Sequence, residues 1–299
     1  MQKIIAIVGP TSSGKTALGI KLAKNIPGSK KLRGEIISAD SRQIYRGLDI
    51  GTGKVTKREM AGVPHHLLSM VSPKKSFSAG AFAKRAQIEI GKIAARGHVP
   101  LVVGGTGFYA DALLGNPLPA VPPHPKLRNA LSKKSAAQLF ALLKKMDPRR
   151  ADTIDSHNPP RLIRAIEICK ALGTVPPIKN STHGFAVLWL GIEVPQRMLV
   201  RKIHDRLLAR MRRGMLAEAK QLHAQGLSYK RMEALGLEYR YQAQYLQNKI
   251  SKGEMLEQLE RAIGNYAKQQ MRYLRRNKEI IWVKSEREAL AAVTNFLKK

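Results

Sequence analysis

The chain contains a single cysteine, Cys169, among its 299 residues. An intramolecular disulfide and a zinc site built on cysteine pairs are therefore excluded. No apolar stretch approaches the length of a membrane-spanning helix. The apolar run at residues 1–8 is too short for a signal peptide, and we expect it to form the first strand. Together these features favour a cytoplasmic enzyme that does not enter a membrane.

Acidic residues are also scarce. The chain has 21 Asp and Glu against 53 Lys and Arg, which gives a formal net charge of +32. Its length and its apolar content of 43% are sufficient for one or two domains with a buried core. Such an excess of basic residues indicates a polyanionic partner, most often nucleic acid, although a generally basic proteome would give the same composition.

A glycine-rich segment follows directly after the apolar run at residues 4–8. It fits the pattern of Gly, four residues and Gly-Lys-Thr, and we call it the phosphate loop: Gly9, Pro10, Thr11, Ser12, Ser13, Gly14, Lys15 and Thr16. Its backbone N–H groups and the start of the following helix can surround a phosphate. Lys15 adds a positive charge, and the hydroxyl of Thr16 can hold Mg²⁺. The motif predicts the binding of a di- or triphosphate, as in nucleotide-binding proteins, without specifying which one.

Apolar runs and helical patterns alternate after the phosphate loop. They predict an α/β fold with a P-loop NTPase-like parallel sheet flanked by helices and a small helical insertion domain. A second strand ends near Asp40, and residues just past the carboxyl ends of parallel strands share a cleft. A further strand at residues 99–103 leads into Gly104-Gly105-Thr106. Phosphate-loop ATPases usually place Asp or Glu there to organise magnesium and water, so its absence argues against ATP hydrolysis.

Five prolines between residues 116 and 125 interrupt the pattern, as at a domain edge. We therefore expect a catalytic core formed by residues 1–115 and 183–299, and a basic helical insertion at residues 116–182. In the C-terminal part, apolar residues repeat every four positions from Leu199 to Met215, which predicts one buried helical stripe.

Several motifs occur in an order known from one family. They are the phosphate loop, Ser38-Ala39-Asp40-Ser41 with Gln43 and Tyr45, Asp49-Ile50-Gly51-Thr52, Val63-Pro64-His65-His66-Leu67, Gly104-Gly105-Thr106-Gly107-Phe108-Tyr109 and Pro160-Arg161-Leu162-Ile163-Arg164-Ala165-Ile166-Glu167. This combination covers nearly the whole chain and resembles the tRNA isopentenyltransferase family, the tRNA dimethylallyltransferases. The resemblance implies transfer of a dimethylallyl group from dimethylallyl diphosphate to the exocyclic amine of the adenosine 3′-adjacent to the anticodon in tRNA. The resemblance also implies that the phosphate loop holds the diphosphate group of the donor, which is released in the reaction. The implied partners are the donor and the anticodon stem-loop of tRNA, and we expect a monomer.

The resemblance also implies roles for individual residues. Asp40 would be the general base, and Thr106 would help to place the reacting groups. Arg206 is the best match for an arginine that grips the diphosphate, although Arg210 and Arg213 stay open as alternatives. Contacts with tRNA are implied for Asp40, Ser41, Arg42, Gln43, Thr106, Arg128, Pro160, Arg161, Leu162, Ile163 and Arg164. Residues 234–240 match the family only loosely, and Gln269 stands where an arginine is usual, so details of the tRNA contact stay open.

Two other functions remain alternatives. A phosphate-loop kinase would use Asp40 as base and ATP as donor, and a non-catalytic RNA-binding module would use the loop as a nucleotide switch. The adjacent His65 and His66 could suggest a metal site. No carboxylate lies at ligand spacing from them, so hydrogen bonding or packing is the expected role.

Overall fold

The structure of the protein is a computed structural model that describes residues 1–26, 33–115, 119–177 and 184–298. Its elements, in chain order, are β1 (Gln2–Val8), α1 (Lys15–Lys24), β2 (Gly34–Ser38), α2 (Lys57–Met60), β3 (His65–His66), α3 (Ala79–Ala95), β4 (Val99–Gly104), α4 (Gly107–Leu114), α5 (Pro125–Leu131), α6 (Ala136–Met146), α7 (Pro148–Ala151), α8 (Pro159–Leu172), β5 (Phe185–Ile192), α9 (Gln196–Arg212), α10 (Met215–Ala224), α11 (Tyr229–Leu235), α12 (Leu237–Leu246), α13 (Lys252–Leu274), β6 (Ile281–Val283) and α14 (Glu286–Lys298).

The chain divides into two compact units. The first comprises Met1–Gly115 and Ser181–Lys299, and the second comprises Asn116–Asn180. The domain edges expected from the sequence, at residues 116 and 182–183, lie outside the described residues.

A parallel sheet with the strand order β3-β2-β4-β1-β5-β6 forms the centre of the first unit. Ile5 of β1 pairs with Leu101 of β4 on one side and with Leu188 of β5 on the other. Because all strands point the same way, their carboxyl ends meet at one edge of the sheet. The phosphate loop, Asp40 and Gly105 therefore leave the sheet at the same edge, as the ligand crevice of such folds requires.

Continuous apolar runs explain why the central strands are buried on both faces. Residues Ile4 to Ile7 of β1 are fully buried. On one face, α1 and α14 pack on a cluster that contains Leu22 and Val293. The predicted P-loop NTPase-like fold is thus confirmed. No helix within the described residues is long and apolar enough to cross a membrane.

The apolar stripe between Leu199 and Met215 faces the core, as expected, but it is divided between two helices. Helix α9 ends at Arg212, and Gly214, with φ of 93°, caps the start of α10. The pattern of one apolar residue every four positions simply continues across the break between α9 and α10. Leu199, Ile203 and Met215 nevertheless share one cluster with Leu259 of α13.

The second unit consists of helices α5 to α8 in its described part. Its core contains Leu139 and Leu143 of α6 together with Leu162 and Ile166 of α8. Helix α8 begins after Asn158, whose side chain accepts from the N–H of Arg161. The helix predicted from about Pro160 to Leu172 is therefore confirmed.

Candidate active site

The phosphate loop joins the end of β1 to the start of α1, as its motif requires. Within the described residues, the backbone N–H groups of Gly14, Lys15 and Thr16 donate to no protein acceptor. These N–H groups belong to the first turn of the helix, where the helix dipole also favours negative charge. The loop therefore presents unsatisfied donors of the kind that bind phosphate.

The side chain of Lys15 folds back onto the loop. Its Nζ donates to the carbonyl oxygen of Pro10 and lies 3.5 Å from Oγ of Ser13. Burial and, to a smaller extent, the charge of Arg206 lower the pKa of Lys15 to about 7, although the carboxylate of Asp40 opposes both effects. Lys15 is thus an ammonium group that loses its proton easily unless an anion joins it.

Asp40 lies two residues beyond the end of β2. Its Oδ1 accepts from the backbone N–H groups of Arg42 at 2.8 Å and Gln43 at 3.3 Å. These two bonds hold Oδ1 against the backbone of the following turn. No donor in the described part of the chain bonds to Oδ2, which is therefore available to take a proton.

Thr106 follows β4 and connects the loops after two neighbouring strands. Its Oγ1 accepts from the backbone N–H of Ser41 at 3.2 Å. Its hydroxyl also lies 3.5 Å from Oγ of Ser41 and interacts with Tyr266 of α13, whose pKa burial and the nearby Asp40 raise to about 12. Tyr266 is therefore protonated, and Thr106 is held between α13 and the loop that carries Asp40.

A cavity of about 270 Å³ opens where these groups meet. Of the residues that the sequence implicates, its lining contains Thr11, Lys15, Thr16, Asp40, Ser41, Arg42, Gln43, Arg206 and Arg210, whereas Thr106 is not among the lining residues. Apolar side chains line another part of the same cavity, among them Ile36, Val103 and Ile263. Cationic, acidic and apolar surfaces thus face one space.

The candidate arginines of α9 differ in their partners. Arg210 is buried and forms an ion pair of 3.0 Å with Glu238, while it also donates to the carbonyl of Gly51. Arg206 donates only to the carbonyl of Gly53, at 3.1 Å, and has no carboxylate partner among the described residues. Burial and the neighbouring Arg210 lower the pKa of Arg206 to about 10, although nearby carboxylates, Glu238 first among them, oppose the shift. Arg213 is exposed and is not part of the cavity lining that the structure describes.

The sequence analysis did not identify the residue that holds the Asp49–Thr52 motif in place. The carboxylate of Glu218 in α10 accepts from the N–H groups of Asp49, Ile50 and Gly51 at 2.7–2.9 Å. The hydroxyl of Tyr239 donates to the same carboxylate at 2.7 Å. The motif is therefore a backbone nest around an internal anion, and the carbonyl of Gly51 within it accepts from Arg210, while that of Gly53 just after it accepts from Arg206. A side chain at Gly53 would collide with both guanidinium groups.

Gln270 is a second residue that sequence reasoning missed. It lies in the buried stripe of α13 with Ile263, Ala267 and Leu274, where an apolar residue would be expected. Its amide contacts the phosphate loop and the loop after β4. A glutamine within an otherwise apolar stripe is the signal that could have identified it.

In the second unit, two of the arginines implicated in tRNA binding support a buried carboxylate. Glu167 is 2% exposed, and Arg128 binds it through two bonds of 2.7 Å. Arg164 adds a bond of 3.3 Å to Glu167 and donates to the carbonyl of Val121. Burial alone would raise the pKa of Glu167, but the two arginines and the N–H of His124 hold it at about 2.

The other implicated residues of α8 divide by exposure. Pro160 and Arg161 are exposed, and Ile163 is partly buried. Leu162 is fully buried in the core of its unit, so a contact between its side chain and RNA is excluded.

The two adjacent histidines form hydrogen bonds, as expected. His65 contacts the carbonyl of Val63, and His66 contacts the buried Glu35 at 2.7 Å. In the part of the chain that the structure describes, no three His, Cys, Asp or Glu side chains are grouped as metal ligands would be.

Comparison with known proteins agrees with this geometry. A sequence model of the family described as IPP transferase matches residues 43–277. The chain is 38% identical to tRNA dimethylallyltransferase 1 of Geotalea uraniireducens, with 99% of this chain and 97% of that protein covered. It is 37% identical to the tRNA dimethylallyltransferase of Carboxydothermus hydrogenoformans, with 98% and 95% covered.

Solved structures show the same relationship. The tRNA isopentenylpyrophosphate transferase of Bacillus halodurans superposes with a TM-score of 0.73 at 32% identity, covering 100% of this chain and 96% of that one. A eukaryotic dimethylallyltransferase acting on tRNA shares the fold, with a TM-score of 0.83 at 24% identity over 100% of this chain and 80% of that one. The resemblance in the sequence motifs is thereby confirmed, and the chain belongs to the IPP transferase family.

Proposed function

We propose that the protein transfers a dimethylallyl group from dimethylallyl diphosphate to the exocyclic amine of the adenosine 3′-adjacent to the anticodon in tRNA. The observation that carries this proposal is the shared cavity, onto which Asp40, Lys15 and Arg206 all open. The carboxylate of Asp40, whose Oδ2 has no hydrogen-bond donor within the described residues, is suited to accept a proton from the substrate. The cationic phosphate loop, which lines the same cavity, suits a leaving diphosphate.

The phosphate loop provides the donor site. The free N–H groups of Gly14, Lys15 and Thr16 would bind diphosphate oxygens, with Lys15 and Arg206 balancing the charge. The apolar lining near Ile36 and Val103 has the character that a five-carbon allylic chain requires. Charge develops on the diphosphate as its bond to carbon breaks, so preorganised cations stabilise that transition state.

Asp40 would act on the acceptor. The lone pair of an exocyclic adenine amine is delocalised into the ring, which makes the amine a poor nucleophile. As the new bond forms between this nitrogen and the allylic carbon, the bond from carbon to diphosphate oxygen breaks. The nitrogen passes a proton to Oδ2 of Asp40. The target adenine must leave its stack in the RNA to reach the cavity, so we expect a flipped nucleotide.

The residues at the loop also fit a magnesium ion. The exposed hydroxyl of Thr16 has no protein partner within the described residues, and with diphosphate oxygens it would provide the hard oxygen ligands that Mg²⁺ prefers. The ion would supply additional positive charge at the leaving group.

The acceptor atom can be tested directly. An anticodon stem-loop RNA is incubated with the protein and dimethylallyl diphosphate, and a matched RNA carries purine riboside, which lacks the exocyclic amine, at the target position. We expect modification of the adenosine RNA alone. Equal modification of both RNAs would contradict the proposed acceptor.

The kinase alternative makes a different prediction. A phosphate-loop kinase or ATPase releases phosphate or transfers it from ATP without tRNA, whereas the proposed transferase does neither. Strand β4 ends at Gly104 and lacks the acidic residue that such ATPases place there. This difference favours the transferase.

A further inference from the structure

One buried amide connects the phosphate loop to α13. Oε1 of Gln270 accepts from the backbone N–H of Thr11 at 2.8 Å. Nε2 of the same side chain donates to the carbonyl of Gly105 at 2.7 Å. Gln270 is only 8% exposed. These contacts join three segments that are far apart in the sequence, and none of them belongs to regular secondary-structure bonding.

The orientation of this amide follows from its partners. A backbone N–H can only donate and a carbonyl can only accept, so Thr11 requires the oxygen of the amide and Gly105 requires its nitrogen. Gly105 therefore prevents the amide from turning over. A group held in this way presents its oxygen to the phosphate loop in a single position.

The contact also separates two kinds of donor in the loop. Pro10 has no N–H, the N–H of Thr11 is used by Gln270, and the N–H of Ser13 donates to the carbonyl of Pro10 at 3.3 Å. The N–H groups of Thr11 and Ser13 are thus used by protein acceptors, whereas that of Ser12 has none within the described residues. The second half, from Gly14 to Thr16, keeps its donors for an anion.

We propose that Gln270 is a positioning residue that holds the phosphate loop in its diphosphate-binding shape, with Gly105 fixing the direction of its amide. This inference rests on the proposed function, because it assigns a diphosphate to the loop. Gln270 does not touch the reacting atoms in this account. Its removal leaves the N–H of Thr11 unpaired and lets the loop adopt shapes in which the remaining N–H groups no longer converge.

A close approach provides a second, independent way to disturb the contact. A Cβ added at Gly105 would lie 2.5 Å from Nε2 of Gln270, closer than side chains tolerate. Gly105→Ala would therefore push the amide aside while leaving Gln270 in the chain. In a Gln270→Ala background the same methyl group keeps only ordinary contacts, 3.4 Å from the carbonyl oxygen of Gly9 and 3.5 Å from Nζ of Lys15, so the two changes should not be additive.

The test measures binding of inorganic pyrophosphate by calorimetry, without RNA, in Gln270→Met, Gly105→Ala, Gln270→Ala and the double variant Gly105→Ala/Gln270→Ala. Gln258→Met, an exposed glutamine on the same helix, is the matched control. We expect Gln270→Met and Gly105→Ala each to weaken pyrophosphate binding about tenfold, the scale of one hydrogen bond. The KM for dimethylallyl diphosphate should rise in parallel, with the KM for tRNA unchanged and Gln258→Met silent.

The double variant should bind pyrophosphate about as weakly as Gln270→Ala alone. Wild-type affinity in Gln270→Met, additive effects in the double variant, or an equal loss of affinity for tRNA would overturn the inference. If Gln270→Met does not fold, Gly105→Ala gives the same decision because it keeps the amide. A wild-type protein that binds pyrophosphate and transfers no dimethylallyl group would contradict the proposed function alone.

Discussion

The guanidinium of Arg206 donates to the carbonyl oxygen of Gly53 at 3.1 Å and forms no ion pair with a carboxylate within the described residues. Arg210, one turn further along α9, forms an ion pair with Glu238. Both side chains line the same cavity, but only Arg210 is paired with a carboxylate. We therefore expect Arg206 to bind a ligand, whereas Arg210 belongs to an internal ion pair and donates to the carbonyl of Gly51 in the Asp49–Thr52 motif.

This difference predicts opposite phenotypes. Arg206→Met should raise the KM for dimethylallyl diphosphate and lower kcat, with little change in thermal unfolding. Arg210→Met leaves Glu238 unpaired and should destabilise the protein by about 3 kcal/mol, since Arg210 is buried. Steady-state kinetics and chemical denaturation of both variants provide the measurement. If Arg206→Met behaves normally while Arg210→Met folds well and loses donor binding, the assignment belongs to Arg210.

Asp40→Asn tests the proposed base. The amide keeps the shape of the side chain and can still accept from the N–H groups of Arg42 and Gln43, so the loop should stay in place. Without a carboxylate to take the proton, the rate of transfer should fall about 10²–10⁴-fold while tRNA affinity is retained. Single-turnover kinetics with a filter-binding control make the comparison. Turnover at the wild-type rate in Asp40→Asn would exclude this role.

The pH dependence of donor binding should report the charge of Lys15. Its pKa of about 7 in the free protein means that the side chain is an ammonium group below pH 7 and neutral above it. Binding of a diphosphate favours the charged form, so affinity should fall by up to about tenfold per pH unit as the pH rises above 7. The ligand also titrates, and Lys15→Arg provides the control because arginine stays charged. Identical profiles for the two proteins would show that Lys15 does not titrate in this range.

In the second unit, Arg161 and Arg128 separate RNA contact from stability. Arg161 is exposed and forms no side-chain ion pair within the described residues, so Arg161→Ala should weaken tRNA binding and lower the salt slope by about one. Arg128→Ala removes two bonds to the buried Glu167 and should cost about 2 kcal/mol of stability, because Arg164 still faces that carboxylate. A salt titration of tRNA affinity and a thermal melt of each variant distinguish the two effects. A lowered melting temperature in Arg161→Ala with an unchanged salt slope would reverse the assignment.

The sequence predicts the sheet well because its central strands are continuous apolar runs, which few other structures accommodate. The phosphate loop and Asp40 were identifiable for a related reason: each follows such a strand directly, and parallel strands end at one edge. The break at Gly214 was missed because the apolar repeat continues through it. Periodicity reports which face is buried and carries no information on whether the helix is interrupted.

The supporting residues of the site could not be predicted in the same way. Glu218 and Gln270 bind backbone groups that are 169 and 259 residues away in the sequence. A backbone N–H has no residue identity, so no local pattern marks it as a partner. Arg128 and Arg164 show the converse difficulty. The family resemblance implies tRNA contacts for both, while a single buried carboxylate, Glu167, already accounts for much of their bonding.

The central claim is tested most directly by mass analysis of nucleosides from an unmodified tRNA transcript incubated with the protein, Mg²⁺ and dimethylallyl diphosphate. The account predicts that one adenosine, 3′-adjacent to the anticodon, gains one dimethylallyl group for each diphosphate released, and that Asp40→Asn leaves it unmodified over the same period. An adenosine that stays unchanged with the wild-type protein, while ATP alone is turned over, would contradict the account.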